Sequence, residues 1–199
     1  MVDAQYEMMC PAIAPIFGYF GVIAATVLSN MGAAYGTAKA GVGIMKSGVL
    51  CPELIWKNLI PIIMAGVNGI YGLITAIIIL NNITQPNVDG FRVYSLYTGF
   101  GHMAAGLCCG LCGMASGMCI GVSGDAGIRA FTQVDWQSKN APRKVRGMVG
   151  GAGGKKKGGS AESVFVGSVL IQVFGGNLAL YGMITAIILT QTYYQCVDG

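Results

Sequence analysis

A chain of 199 residues that is 54% hydrophobic and only 10% charged cannot clothe a water-facing surface, where about 25% of residues are charged. That composition excludes a soluble domain and identifies an integral membrane protein. The net charge of +4 is small, and its placement says more than its size.

The first nine residues carry Asp3 and Glu7 and no basic residue, so the positive start of a signal peptide is absent. Four long apolar runs follow, at roughly residues 12–38, 54–80, 93–122 and 163–193. Only helices and closed barrels satisfy their backbone groups in lipid, and runs of this length are helices. They should be about 40 to 45 Å long against a hydrocarbon core of ~30 Å, so they tilt or project beyond it.

The first run carries Gly18, Gly21, Gly32 and Gly36, and the third Gly99, Gly106, Gly110, Gly113, Gly117 and Gly121. Small residues let membrane helices approach closely, and a spacing of four puts Gly113, Gly117 and Gly121 on nearly one stripe. The second and fourth runs end in Leu/Ile/Thr-rich turns suited to lipid contact. This division suits a ring with a tight inner wall and a bulkier outer one.

The basic residues set the orientation. Lys39, Lys46 and Lys57 flank the first connection, and Arg129, Lys139, Arg143, Lys144, Arg146, Lys155, Lys156 and Lys157 the third, while only Arg92 falls in the second. The positive-inside rule assigns the rich side to the cytoplasm and both termini to the lumen. The sequon Asn82-Ile83-Thr84 then lies on the lumenal side, hard against the membrane.

The chain also repeats. Gly32-Ala-Ala-Tyr-Gly36 is answered by Gly113-Met-Ala-Ser-Gly117, 81 residues later, and IYGLITAIII at 70–79 by LYGMITAIIL at 180–189, 110 residues later. The 29-residue difference between the offsets measures an insertion in the second copy, which fits the Gly-, Lys- and Arg-rich segment at about 132–161. The fold expected is an all-α membrane protein whose four transmembrane helices are a tandem duplication of a two-helix hairpin, residues 1–92 and 93–199.

YGTAKAGVGI at 35–44, PIIMAGVNGIYGLI at 61–74, SGMCIGVSGDAGIRA at 116–130 and LALYGMITAIIL at 178–189 closely resemble the 16-kDa proteolipid of V-type proton ATPases. The resemblance covers all four helices in order. It implies a subunit that joins homologous proteolipids in a rotor ring, with glycine-rich helices inside, and that meets the other membrane-sector and stalk subunits of such an ATPase. It also implies an acidic endomembrane such as a vacuole or lysosome.

The family's working residue is a glutamate in the fourth helix, five residues before the tyrosine of its L-G-L-Y-G motif. Counting back from Tyr181 in FGGNLALYG lands on Gly176, so the carboxylate is absent; the first-hairpin equivalent is Gly66, where the family also lacks an acid. What the resemblance implies of the mechanism rests on that acid, which crosses lipid protonated and surrenders its proton beside a stator arginine, because an ionised acid is costly in hydrocarbon. The neighbours Gln172 and Asn177 exchange hydrogen bonds but do not ferry protons at physiological pH. This subunit is therefore expected to be structural and silent in proton transfer. The alternative is a proteolipid ring that serves as a scaffold or pore without ATPase-driven transport.

Other positions carry less. Gln172, Asn177 and Asn68 can set helix register by hydrogen bonding or line a residual water path, and Tyr71 and Tyr181 read as packing residues. Cys108, Cys109, Cys112 and Cys119 read as small buried thiols. His102 lies near one helical face with Cys109 and Cys112 but lacks a clear fourth ligand, so no metal is expected. GGAGGKKKGGS at 150–160 fails the Walker pattern, since Val149 stands where glycine is needed and Lys156 follows Lys155. Lys155, Lys156 and Lys157 read as topogenic charge on a cytoplasmic connection, or as a site for anionic lipid or an acidic partner. No catalytic residue, cofactor or nucleic-acid partner is expected.

Overall fold

The computed structural model describes residues 10–11, 13–83, 94–140 and 159–192. Four long helices dominate: α1 at Ala14–Leu50, α2 at Ile60–Asn82, α3 at Leu96–Asn140 and α4 at Gly159–Gln191. All four are long and apolar enough to cross a membrane.

Proline punctuates the first hairpin. Pro15 and Pro61 stand in the opening turns of α1 and α2, where a missing N–H costs nothing. Cys51, before Pro52, adopts an extended conformation with φ −143° and ψ 87°, and α1 ends there. A 3-10 turn at Pro52–Leu54 and a helical turn at Ile55–Asn58 lead into α2.

α1 and α3 form the most intimate pair; α2 lies against α1, α4 against α3, and α2 and α4 touch each other. The buried stripe of α1 contains no side chain larger than serine: Ala14, Gly18, Gly21, Ala24, Ala25, Ser29, Gly32, Ala33, Gly36, Ala40, Gly43 and Ser47. Its large apolar residues, among them Phe20, Ile23, Val27 and Met31, point outward. A soluble helix would do the reverse. In lipid the outside is as apolar as the inside, so close van der Waals approach decides which face is buried.

Three expectations change. The first and third helices outrun their apolar stretches, α1 by twelve residues to Leu50 and α3 by eighteen to Asn140. A helix needs no lipid once it has a neighbour, and these overhangs pack on each other: Ser47 Oγ lies 2.6 Å from Thr132 Oγ1, and Lys139 Nζ lies 3.5 Å from Glu53. The connection expected from residue 132 therefore starts later, since 132–140 continue α3. Phe131 and Phe165 close over Cys51 and Leu54 as a small core at this end. The cysteines are also not uniformly buried: Cys109 is, Cys108 and Cys112 are half-buried, and Cys119 is exposed, because α3 carries them on different faces. Cys10 is disulfide-bonded.

Candidate ion-binding position in the fourth helix

Gly176 lies midway along α4. The residue before it sets the register against α3: a Cβ built on Gly175 would come within 3.2 Å of Cys119 Sγ and 3.3 Å of Ile120. Gly176 itself turns away, and a Cβ there would meet only Ile120 Cδ1 at 4.0 Å. Its counterpart in the first hairpin, Gly66, has nothing within 4 Å. Both positions are open, one on α2 and one on α4.

The surroundings are polar but uncharged. Asn68 of α2 is buried and its Nδ2 donates to Ser116 Oγ at 2.9 Å; Ser116 donates in turn to the Gly175 carbonyl at 2.6 Å. Three helices are thus tied at the carbonyl immediately before position 176. Gln172, one turn toward the α4 N-terminus, is buried and its Nε2 donates to Ser168 Oγ at 3.2 Å. Asn177 is half-buried and Tyr181 exposed. Amides and hydroxyls can orient a water or a carboxyl group, but none titrates near neutrality.

Among the described residues, the acids on the four helices are Asp125 and Asp135 on α3 and Glu162 in the first turn of α4. Asp125 is the nearest along the helix, about 7 to 9 Å from the level of Cys119 and Ile120. It faces Gly43 of α1 and holds Arg129 through two bonds of 2.9 and 2.8 Å. A carboxylate so paired is committed to the C-terminal half of α3, away from the open side of α4.

The glycine ladders meet inside the chain. Cβ atoms on Gly106 and Gly117 would run into the carbonyls of Gly21 and Gly32, and one on Gly110 would lie 2.7 Å from the Ala24 carbonyl. Gly121 packs on Gly36, Gly113 on Ser29, and Gly32 on Met114. Within the chain, these glycines of the expected tight inner wall seat α3 on α1.

His102 and Cys109 have separate partners. His102 Nδ1 lies 2.7 Å from Tyr94 Oη, and Cys109 Sγ is 3.2 Å from Thr75 Oγ1. No cluster of three metal-ligating side chains occurs among the described residues. Lys155, Lys156 and Lys157 lie outside them. The partners of Ser116 and the pairing of Ser47 with Thr132 carry no signal in the sequence, since a hydroxyl does not reveal which helix it faces.

The sequence pattern of the ATP synthase C subunit family matches residues 20–79 and 103–189. The chain is 47% identical over 188 residues to the V-type proton ATPase 16 kDa proteolipid subunit of Chrysotila carterae, covering 94% of this chain and 98% of that one. It is 44% identical over 178 residues to V-type proton ATPase 16 kDa proteolipid subunits of Caenorhabditis elegans and Ascaris suum, in each case covering 89% of this chain and 91% of the relative. Four membrane-length helices, a duplicated hairpin and a match across both halves lead to one conclusion: the chain belongs to the ATP synthase C subunit family.

Proposed function

We propose that this protein is a structural subunit of the rotor ring of a V-type proton-transporting ATPase and carries no proton itself. The family and its V-type relatives support the first part. The observation that carries the second is Gly176: the position where the family resemblance calls for a glutamate has no side chain, and its neighbours are Gln172, Asn177 and the Asn68–Ser116 pair. The partners are homologous proteolipids that retain the acid, the other membrane-sector and stalk subunits, and surrounding lipid. The membrane is that of an acidic compartment such as a vacuole or lysosome, with lumenal termini and the basic connection in the cytoplasm.

A hydrophobic carbodiimide that labels protonated membrane carboxyls provides the test. The native subunit stays unlabelled under conditions that label glutamate-bearing relatives, and Gly176→Glu gains a label within α4. The opening beside Gly176 has room for that side chain, and hydrocarbon favours the neutral acid. Labelling of the native fourth helix would overturn the reading. The same missing acid favours a second reading, a ring that acts as scaffold or pore. Purification of the native complex separates the two, because only the first brings an ATPase head and acid-bearing sisters with it.

A further inference from the structure

At the cytoplasmic end the helices leave a cavity of ≈ 10 Å³ among Asn58, Gly127, Phe131, Phe165, Ser168 and Gln172. That is about the space one water needs, provided the walls are polar enough to hold it. Two phenyl rings form part of the wall, but the amides of Asn58 and Gln172 form another.

Gln172 is 1% exposed, and while its Nε2 donates to Ser168, its Oε1 is buried with no partner. A buried amide carbonyl without a donor is costly, and each such atom calls for an explanation. Gly127 offers no donor side chain, and the hydroxyl on the wall, Ser168 Oγ, meets the Gln172 amide nitrogen and not its oxygen.

Across the cavity the hydrogen bonds run in one direction. Thr132 Oγ1 donates to the Ile128 carbonyl at 2.8 Å, so the Ser47 hydroxyl, 2.6 Å away, donates to Thr132. Asn58 Nδ2 then donates to Ser47 Oγ at 2.9 Å. The line joins α1, the turn before α2, and α3, and it ends at an amide that borders the cavity. It lacks only α4.

We propose that this cavity is a binding site for a single ordered water molecule, which donates to the Gln172 side-chain carbonyl and links it to the Asn58–Ser47–Thr132 line. One water then joins α1, α3, α4 and the turn that leads into α2 at a single hydrogen-bonded junction. Because Gln172 is one turn from Gly176, the junction fixes the rotation of α4 that presents position 176 outward. This site stands on its own geometry, whatever the subunit's role in transport.

Radiolysis of water by a brief X-ray pulse hydroxylates side chains beside bound water as well as those in bulk. The purified full-length assembly is mixed into heavy-oxygen water and pulsed before slow-exchanging internal water has turned over. Phe131 is 4% exposed and should nonetheless be hydroxylated, and with light oxygen; Trp56, at 82% exposure, should take heavy oxygen. Gln172→Leu, which removes the acceptor, loses the Phe131 product and leaves that of Trp56 unchanged, whereas Gln172→Glu keeps both. If the leucine variant does not assemble, Gly127→Ala supplies the same readout, because its methyl group would overlap Ser168 Oγ, the part of the cavity wall that holds Gln172. An unlabelled Phe131 in the native protein, heavy oxygen at Phe131, or equal labelling in whichever water-excluding variant assembles would each overturn the proposal.

Discussion

Glycine does opposite things at two sets of positions in this molecule. Between α1 and α3, Gly21, Gly32, Gly106 and Gly117 bring backbone against backbone with no room for a methyl group. On α2 and α4, Gly66 and Gly176 border open space. Composition counts 32 glycines alike, yet the first set is required by packing and the second is not. A glycine that packing does not require is free to be decided by function, and for that reason the one at position 176 carries information.

The largest expected effect comes from breaking the packed set. Gly117→Leu forces a branched side chain into the Gly32 carbonyl. Inserting even a methylene into a full interior costs about 1 to 3 kcal/mol, and backbone cannot move aside as a side chain can. The variant should lose its folded species on a native gel; retention of the native oligomer would show that the seam can open.

An intermediate effect is expected at the tie between the two sets. Ser116→Ala strands the Asn68 amide, at a cost of about 1 to 3 kcal/mol, seen as a lower thermal midpoint in detergent. Adding Asn68→Leu should recover part of that loss, because removing both partners leaves no buried donor unmet. A double variant no better than the single one would mean the pair matters for shape alone.

The smallest effect sharpens the comparison most. Gly66→Ala adds a methyl group to open space and should stabilise by about 0.5 to 1 kcal/mol through helix propensity. Gly106→Ala, the same change against the Gly21 carbonyl, should destabilise. Thermal midpoints that move in the same direction would contradict the division between required and free glycines.

Much of this arrangement was legible in the sequence. The repeat that matches Gly32–Gly36 to 113–117 relates segments that lie face to face, because duplicated hairpins pack through their equivalent helices. Hydropathy located the four helices but not their ends: α1 and α3 continue past their continuous apolar stretches because each has the other to lean on. Ser47 does fall on the three-to-four spacing of the small-residue stripe of α1, so its burial was readable, but its bond to Thr132, 85 positions away, depends on helix rotation that no local pattern encodes. Gly176 was legible only through family resemblance, since nothing intrinsic to a glycine says what it replaces.

The α1–α3 seam also bears on stiffness. Side chains yield under load by turning about their χ angles, and an interface built of them creeps before it fails. Where Gly106 meets Gly21 and Gly117 meets Gly32, the touching atoms are carbonyls and α-carbons held in hydrogen-bonded helices. Sliding one helix along the other would drag peptide planes across each other, with no rotamer to absorb the strain. The two helices therefore move as one rod, and a torque applied at the Ser47–Thr132 end reaches the Gly21–Gly106 end with little twist lost between them.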